Sequence, residues 1–358
     1  MRLLTGHMRK KAAVVLAVAS FALSLLMVAG CGSGAWTNTG GTVSCYDCGP
    51  LAYDSTHNLL YAGCGVSSND NTPFTGKGVW KYNGSTWTNT GGEVTSFEID
   101  SLAYDSNHNL LYAGCIDSST GTYIYKGVWK YDGTTWTNTG GAVSIFIIPC
   151  LAYDPIHNLL YAGTDGVDVW KYDGKNWTDT GSELAGDQFC SLAYDSTHKL
   201  LYARAGGDVW KYDGTTWTNT GTAFSNYCGA GPLLYDSTHK LLYAGTDSKG
   251  VWKYDGSTWT KTGGAFPNYK IDSLAYDPTH NLLYAGCEVM QTLTTNGSKG
   301  KGVWKYDGTA WVSTGGSVSG YLVGPLTYDS THNLLYAGCG VSSNDNTTFT
   351  GKGVWRYQ

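Results

Sequence analysis

The residues here with the most obvious chemical potential are histidines. His57, His108, His157, His198, His239, His280 and His332 each stand three residues after an aspartate, from Asp54 to Asp329. A carboxylate beside an imidazole can orient a general base or help to hold a metal. A second set is acidic: Glu98, Asp100 and Asp272, the residue type used in pairs for glycoside hydrolysis. A third is Cys45-Tyr46-Asp47-Cys48, with the spacing of a redox or zinc pair.

Context weakens each chemical reading. The Asp–His pairs all fall inside one repeated segment, LAYDSTHNLLYAG at 51–63, whose close copies begin at 102, 151, 192, 233, 274 and 326. Identical positions in successive units should lie far apart, so a hydrogen bond holding a turn is expected rather than a metal ring. Apart from His7, every histidine is in such a turn, which leaves a Ser-His-acid system no base elsewhere. Asp100 and Asp272 share one repeat position, IDSLAYD, which reads as readily as a strand-end feature. No thioredoxin-like βαβ pattern surrounds the lone CxxC, and no cofactor or metal is expected.

The elements that must position these residues follow from the repeat. Its starts are 51, 49, 41, 41, 41 and 52 residues apart, in the range of propeller blades. Each copy holds four short strand-like runs separated by turn signals. Within SLAYD-SNH-NLLYAG and GVWKYDG-TTWTNTG, Asp-Gly favours the positive φ angles of a type I′ hairpin turn. The expected fold class is all-β: a seven-bladed β-propeller of four-stranded antiparallel blades. The N-terminal AWTNTGG supplies a fourth strand, and the C-terminal PLTYDSTHNLLYAG…GKGVWRYQ lacks one. Residues 35–40 should therefore pair with 353–358 and close the ring.

The repeat LAYD…HNLLYAGT…GVWKYDG resembles the regulator-type propeller repeats of bacterial two-component sensor ectodomains and, more loosely, sialidase-type repeat propellers. The likeness covers 36–358 in repeat style. The sialidase Asp box, S-x-D-x-G-x-T-W, is not reproduced, because Asp and Gly are adjacent in YDGTTW. Sialidases also grip a carboxylate with three arginines, whereas only Arg204 and Arg356 follow residue 30. Sialidase chemistry is thereby excluded.

The first thirty residues are of another kind. MRLLTGHMRKK has four positive charges and no acid, and an apolar run, 12–29, follows it. A basic start, an apolar stretch and small residues form an export signal; an uncleaved membrane helix is the alternative. Val28-Ala29-Gly30 before Cys31 resembles the bacterial lipobox, which implies lipidation at Cys31 and a lipid-anchored protein of the cell envelope. The expected organisation is a signal peptide over 1–30, the lipidated cysteine and a linker over 31–35, and a propeller over 36–358. Without 1–30, 19 basic residues remain against 28 acidic ones, a net charge of −9, which disfavours nucleic acid as a partner. The linker Gly32–Ala35 reaches on the order of 15 Å, which should turn the histidine face toward the membrane.

The opposite face holds the differences between repeats. Long inserts lie between the second and third strands of blades 1, 2, 6 and 7, as in 65–78 and 288–302. These blades are neighbours in a closed ring, so one raised wall is expected. Five positions before the LAYD leucine stand Tyr46, Phe97, Phe146, Asp187, Tyr269 and Tyr321, with Tyr227 at the corresponding point of blade 5. Asp47, Glu98, Asp100 and Asp272 accompany them. Aromatic faces with neighbouring carboxylates can bind sugar rings or a protein's aromatic anchors, or simply cap the packing between first strands. If Tyr53 pairs with Leu59, Cys48 faces Cys64 and a disulfide can form. The expected function is that of a non-catalytic binding or scaffold propeller for an envelope protein partner. A carbohydrate-binding propeller is the alternative, ahead of a glycoside hydrolase or lyase.

Overall fold

A computed structural model describes residues 34–40, 47–65, 78–117, 124–165, 168–181, 184, 189–221, 231–264, 269–289, 299–342 and 349–358. The chain divides into 1–35 and 36–358; the second unit is described below.

Short strands with alternating burial build the ring. In blade 2 the first strand, Glu98–Asp105, buries every second residue, while the second strand, Leu110–Asp117, is buried almost throughout. One-sided and two-sided burial of this kind places the first strand on a channel and the second inside the blade. The third and fourth strands are Ile124–Tyr131 and Trp136–Asn138. Seven such four-stranded antiparallel sheets exist, and the first strands of neighbouring blades touch one another around the axis. The expected seven-bladed propeller is the observed fold.

Blade 7 is completed by the start of the unit. Trp36–Asn38 pairs antiparallel with Phe349–Tyr357, with Trp36 opposite Tyr357 and Asn38 opposite Trp355. The closed circuit covers a sheet edge that would otherwise be open.

A circuit of side chains joins the blades. In six blades the fourth-strand Trp stacks on the third-strand Tyr, as Trp136 does on Tyr131 at 4.9 Å, and in blade 7 Trp36 meets Tyr357 at a tilt of 39°. The Trp Nε1 then donates to a threonine of the preceding blade: Trp136 to Thr90, Trp177 to Thr139, Trp311 to Thr262. Trp87 donates to Thr39 and Trp36 to Thr314, so the circuit also crosses the closure. WTNTG is thus a latch: the Trp reaches backward and the second Thr receives the next Trp.

Two turn expectations are corrected. Between Tyr131 and Trp136 lie four residues, and of Asp132 and Gly133 only Gly133 has positive φ, at 98°. This is not a two-residue type I′ turn. The Asp132 carboxylate instead accepts the backbone N–H groups of Thr134 and Thr135 and both threonine hydroxyls. These bonds hold its pKa well below the ordinary range. Side-chain capping of the loop replaced the backbone turn that Asp-Gly suggested. In the first hairpin Tyr53 faces Leu60, not Leu59, yet Cys48 still faces Cys64. A register shift at Gly49-Pro50 absorbs the extra residue.

Candidate binding face

All seven blades line a cavity of about 270 Å³ in the channel. Its wall carries leucines from six blades (Leu51, Leu102, Leu151, Leu192, Leu274 and Leu326), four prolines, and two acids, Asp100 and Asp272. Both acids occupy bulges. Ile99 pairs with Cys115 and Ser101 with Gly114, leaving Asp100 over; Ile271 and Ser273 leave Asp272 over in the same way. An unpaired bulge residue is re-aimed relative to the ladder, which explains why IDS puts a carboxylate on the channel wall.

The two acids differ in their surroundings. Lys270 Nζ lies 2.7 Å from Asp272 and 3.0 Å from Glu288. Glu98 occupies in blade 2 the position of Lys270, and Ile116 that of Glu288. Burial pushes Asp100 up to about 7, and the Glu98 charge adds to this. The Asp100 Oδ2 atom is buried and has no hydrogen-bond partner. Asp272 is also raised to about 7, chiefly by burial, with Lys270 opposing and Glu288 and Asp247 adding. Each acid thus has a second carboxylate close enough to raise it, Glu98 for Asp100 and Glu288 for Asp272.

The aromatic positions sit outside that cavity. Phe97 is only 5% exposed and meets the Trp129 ring edge-on at 5.5 Å, with Lys126 Nζ 5.3 Å from its centroid. Tyr269 repeats this with Trp304 at 6.1 Å and Lys301 at 5.5 Å. Tyr321 lies 5.8 Å from Trp355, and Phe146 packs with Trp170 in the core between blades 2 and 3. These rings rest on third-strand tryptophans, and Tyr269, Tyr321 and Phe146 are half-buried. Cys31, Tyr46, Asp187 and Tyr227 lie outside the described residues, as do most of the 65–78 and 288–302 inserts. Asp47 is described by its backbone, opposite Gly65.

The difference in blade height is visible in the strands. The second and third strands of blade 2 run eight residues each, those of blade 6 eight each, and those of blade 7 nine each. In blade 3 they run only five and four, Leu159–Gly163 and Val169–Tyr172. First-strand contacts place blades 6, 7, 1 and 2 side by side. Blade 1, between blades 7 and 2, has described strands of seven and five residues, Leu59–Gly65 and Gly78–Tyr82, so among the described residues the lengthened strands are those of blades 6, 7 and 2, on the face where the channel acids lie.

The histidines hold turns. Asp154 Oδ1 accepts the N–H groups of Ile156 and His157, and its Oδ2 lies 2.7 Å from His157 Nδ1. The same pattern occurs in all seven blades, at 2.7–2.9 Å. Among the described residues no group of three or more metal-ligating side chains gathers. The tyrosine of each LAYD lies beside the first-turn aspartate of the preceding blade, as Tyr104 does beside Asp54 and Tyr153 beside Asp105. Repeat-by-repeat reading did not reveal these links because their partners are about forty residues or more away.

Every cysteine side chain among those described is buried. Cys64 is disulfide-bonded, and Cys48 stands opposite it in the ladder. Cys115, Cys287 and Cys339 are fully buried, and burial pushes the thiols of the first two well up. They fill the slot that Thr164 and Thr246 fill elsewhere, where threonine hydroxyls donate to Asp168 O and Gly250 O.

No protein-family model and no curated protein matches the chain. Solved structures match in fold. A GH74 enzyme of Niastella koreensis has a TM-score of 0.62 at 16% identity, covering 89% of this chain and 55% of that one. The extracellular domain assigned to a one-component system of B. thetaiotaomicron has 0.61 at 16%, covering 89% and 39%. A chain of a mitotic checkpoint complex has 0.59 at 13%, covering 89% and 91%. The chain thus spans about half or less of the first two, and at these identities the likeness is one of fold alone: a propeller found in a sensor domain, an enzyme and a protein assembly.

Proposed function

We propose that this chain is an exported binding propeller without catalytic activity, held to a membrane by lipid on Cys31, which presents its insert face to an envelope protein. The observation that carries this is the placing of the inserts: they are confined to four adjacent blades of an otherwise regular ring. Variable loops on a rigid scaffold are the usual seat of binding.

The test is cross-linking in the native host from the 65–78 and 288–302 inserts. One captured protein, absent when the cross-linker sits at the His157 turn, is the expected result. The anchor is tested by protease nicking on intact membranes, which should reach 65–78 and spare the histidine turns. Carbohydrate binding is the second reading, motivated by the half-buried Tyr269 and Tyr321. Glycan-array binding that disappears in Tyr269→Ala plus Tyr321→Ala, with no protein captured, would replace the first reading by the second.

A further inference from the structure

We propose that the step from tall blade 2 down to short blade 3 docks a positively charged peptide segment of a protein partner, anchored by an aliphatic or aromatic side chain. This deepens the protein-binding reading and rests on it.

The step is apolar, and the junction of the two tall blades 6 and 7 shows why that is unusual. Gly300 of blade 6 and Tyr125 of blade 2 are equivalent by ladder register. A Cβ on Gly300 would lie 1.9 Å from the carbonyl carbon of Tyr321 in blade 7. The flank of blade 6 is therefore closed by its neighbour's backbone, and no side chain fits. Blade 3 offers no such wall. Tyr125 fits there and is 40% exposed, beside Ile124 at 43%. The turn Ala142–Ile145 packs against this third strand, with Ser144 next to Gly127, and carries Ile145 at 68% exposure. Three of the five exposed large hydrophobic residues described belong to this strand and the turn packed on it, with Ile124 and Tyr125 on opposite faces of the strand. Clustering of that kind marks an interaction surface more than isolated exposure does.

The charge beside it identifies the occupant. Ile147 and Asp165 exchange hydrogen bonds, N–H of Ile147 to the Asp165 carboxylate and N–H of Asp165 to Ile147 O. This ties the apolar turn to the short link of blade 3. That link also carries Asp168, and the outer strand Trp177–Asp179 ends in an acid of the same sign close to it. Asn138 and Asn219 occupy the equivalent outer position in blades 2 and 4, where each donates across the sheet, to Lys126 O and Asp208. Blade 3 replaces that attraction with a repulsion between neighbouring strands, which costs stability. Burial and the Asp179 charge together raise Asp168. A lysine or arginine supplied by a partner would relieve the repulsion while its apolar neighbour covers Tyr125 and Ile145, an aromatic and aliphatic anchor site with a polar rim.

Fluorescence anisotropy with labelled synthetic peptides of about twelve residues tests this on the chain from residue 32 onward. The probes are alternating Lys–Leu, Glu–Leu and Lys–Ser sequences. The Lys–Leu peptide should bind saturably and the other two at least about tenfold more weakly. Tyr125→Ser with Ile145→Ser, and separately Asp168→Asn with Asp179→Asn, should each weaken Lys–Leu binding about tenfold or more. Neither double variant should lower the thermal midpoint by much, and Asp168→Asn with Asp179→Asn should raise it slightly by removing the repulsion. A photo-cross-linker at Ile145 should label the Lys–Leu peptide, and one at Val312, also an exposed hydrophobic residue, should not. No saturable Lys–Leu binding, equal binding by all variants, or equal labelling at Val312 overturns the inference. Capture of a host partner that is lost on shortening the 65–78 insert but unchanged by Tyr125→Ser with Ile145→Ser overturns the inference while leaving the protein-binding reading in place.

Discussion

Asp154 shows what a single side chain contributes. It is fully buried and serves three hydrogen bonds, whereas its partner His157 is about half exposed. Removing the carboxylate strands two backbone donors, so Asp154→Ala should lower stability by about 2–3 kcal/mol. His157→Ala removes one half-solvated contact and should cost less than about 1 kcal/mol; denaturant titration of both variants checks the ratio. Asp100 gives a prediction with a pH sign. Its carboxyl rises from 3.8 to about 7 on folding, so the folded chain keeps a proton that the unfolded chain releases between those values. This group's contribution therefore falls as pH rises from about 4 to about 7 and is constant above. Asp100→Asn should raise the unfolding free energy at pH 8 by a few kcal/mol at most and change it little at pH 4. A variant with the same pH dependence as the parent would remove Asp100 as the source.

At the scale of elements, the seven first turns act as a natural substitution series. The residue after each histidine has positive φ, from 56° to 60°; it is Asn in five blades and Lys at 199 and 240. Asn adopts that conformation more readily than a long side chain does. Lys199→Asn and Lys240→Asn should each stabilise the fold by about 0.5 kcal/mol, and Lys199→Val should destabilise it, as measured by thermal or denaturant unfolding. The strand pattern was legible because each repeat states it afresh: alternation in EIDSLAYD, a continuous apolar run in LLYAG. The bulges were not, since IDS and CGP look like ordinary strand continuations. An extra residue becomes visible only once two strands are aligned, and that is why the predicted Tyr53–Leu59 register was off by one while Cys48 still met Cys64. Asp132 misled for a related reason. Asp-Gly serves both a two-residue turn and an Asx-capped loop, and the neighbouring threonines decided for the latter.

For the whole molecule the decisive contact is Trp36–Asn38 on Phe349–Tyr357. Removing 36–40 deletes three ladder partners, the Trp36–Thr314 latch and the Thr39 acceptor of Trp87. It also leaves the strand edge of blade 7 open to other chains. Such a truncation should lower the thermal midpoint by more than about 10 °C and yield higher oligomers in size-exclusion chromatography. A monomer with an unchanged midpoint would mean that the ring holds itself shut by other contacts. Closure also explains the step used for the docking proposal. A ring with inserts on four consecutive blades must have two ends to its arc, and the end at blade 2 faces a short neighbour.

The amino-acid order alone determined the blade count, the four-strand unit, the circular permutation of the last blade and the turn role of Asp–His. All of these are local or are written repeatedly, so each copy corroborates the others. Only the tertiary structure decided which side chains meet. It set the Trp–Thr circuit, the burial of Phe97 beneath Trp129, the placing of Asp100 and Asp272 on one channel wall with different neighbours, and the open flank at Tyr125. Those relations join residues in different blades or across a bulge. Their physical basis is the height and register of neighbouring sheets, which no single repeat contains.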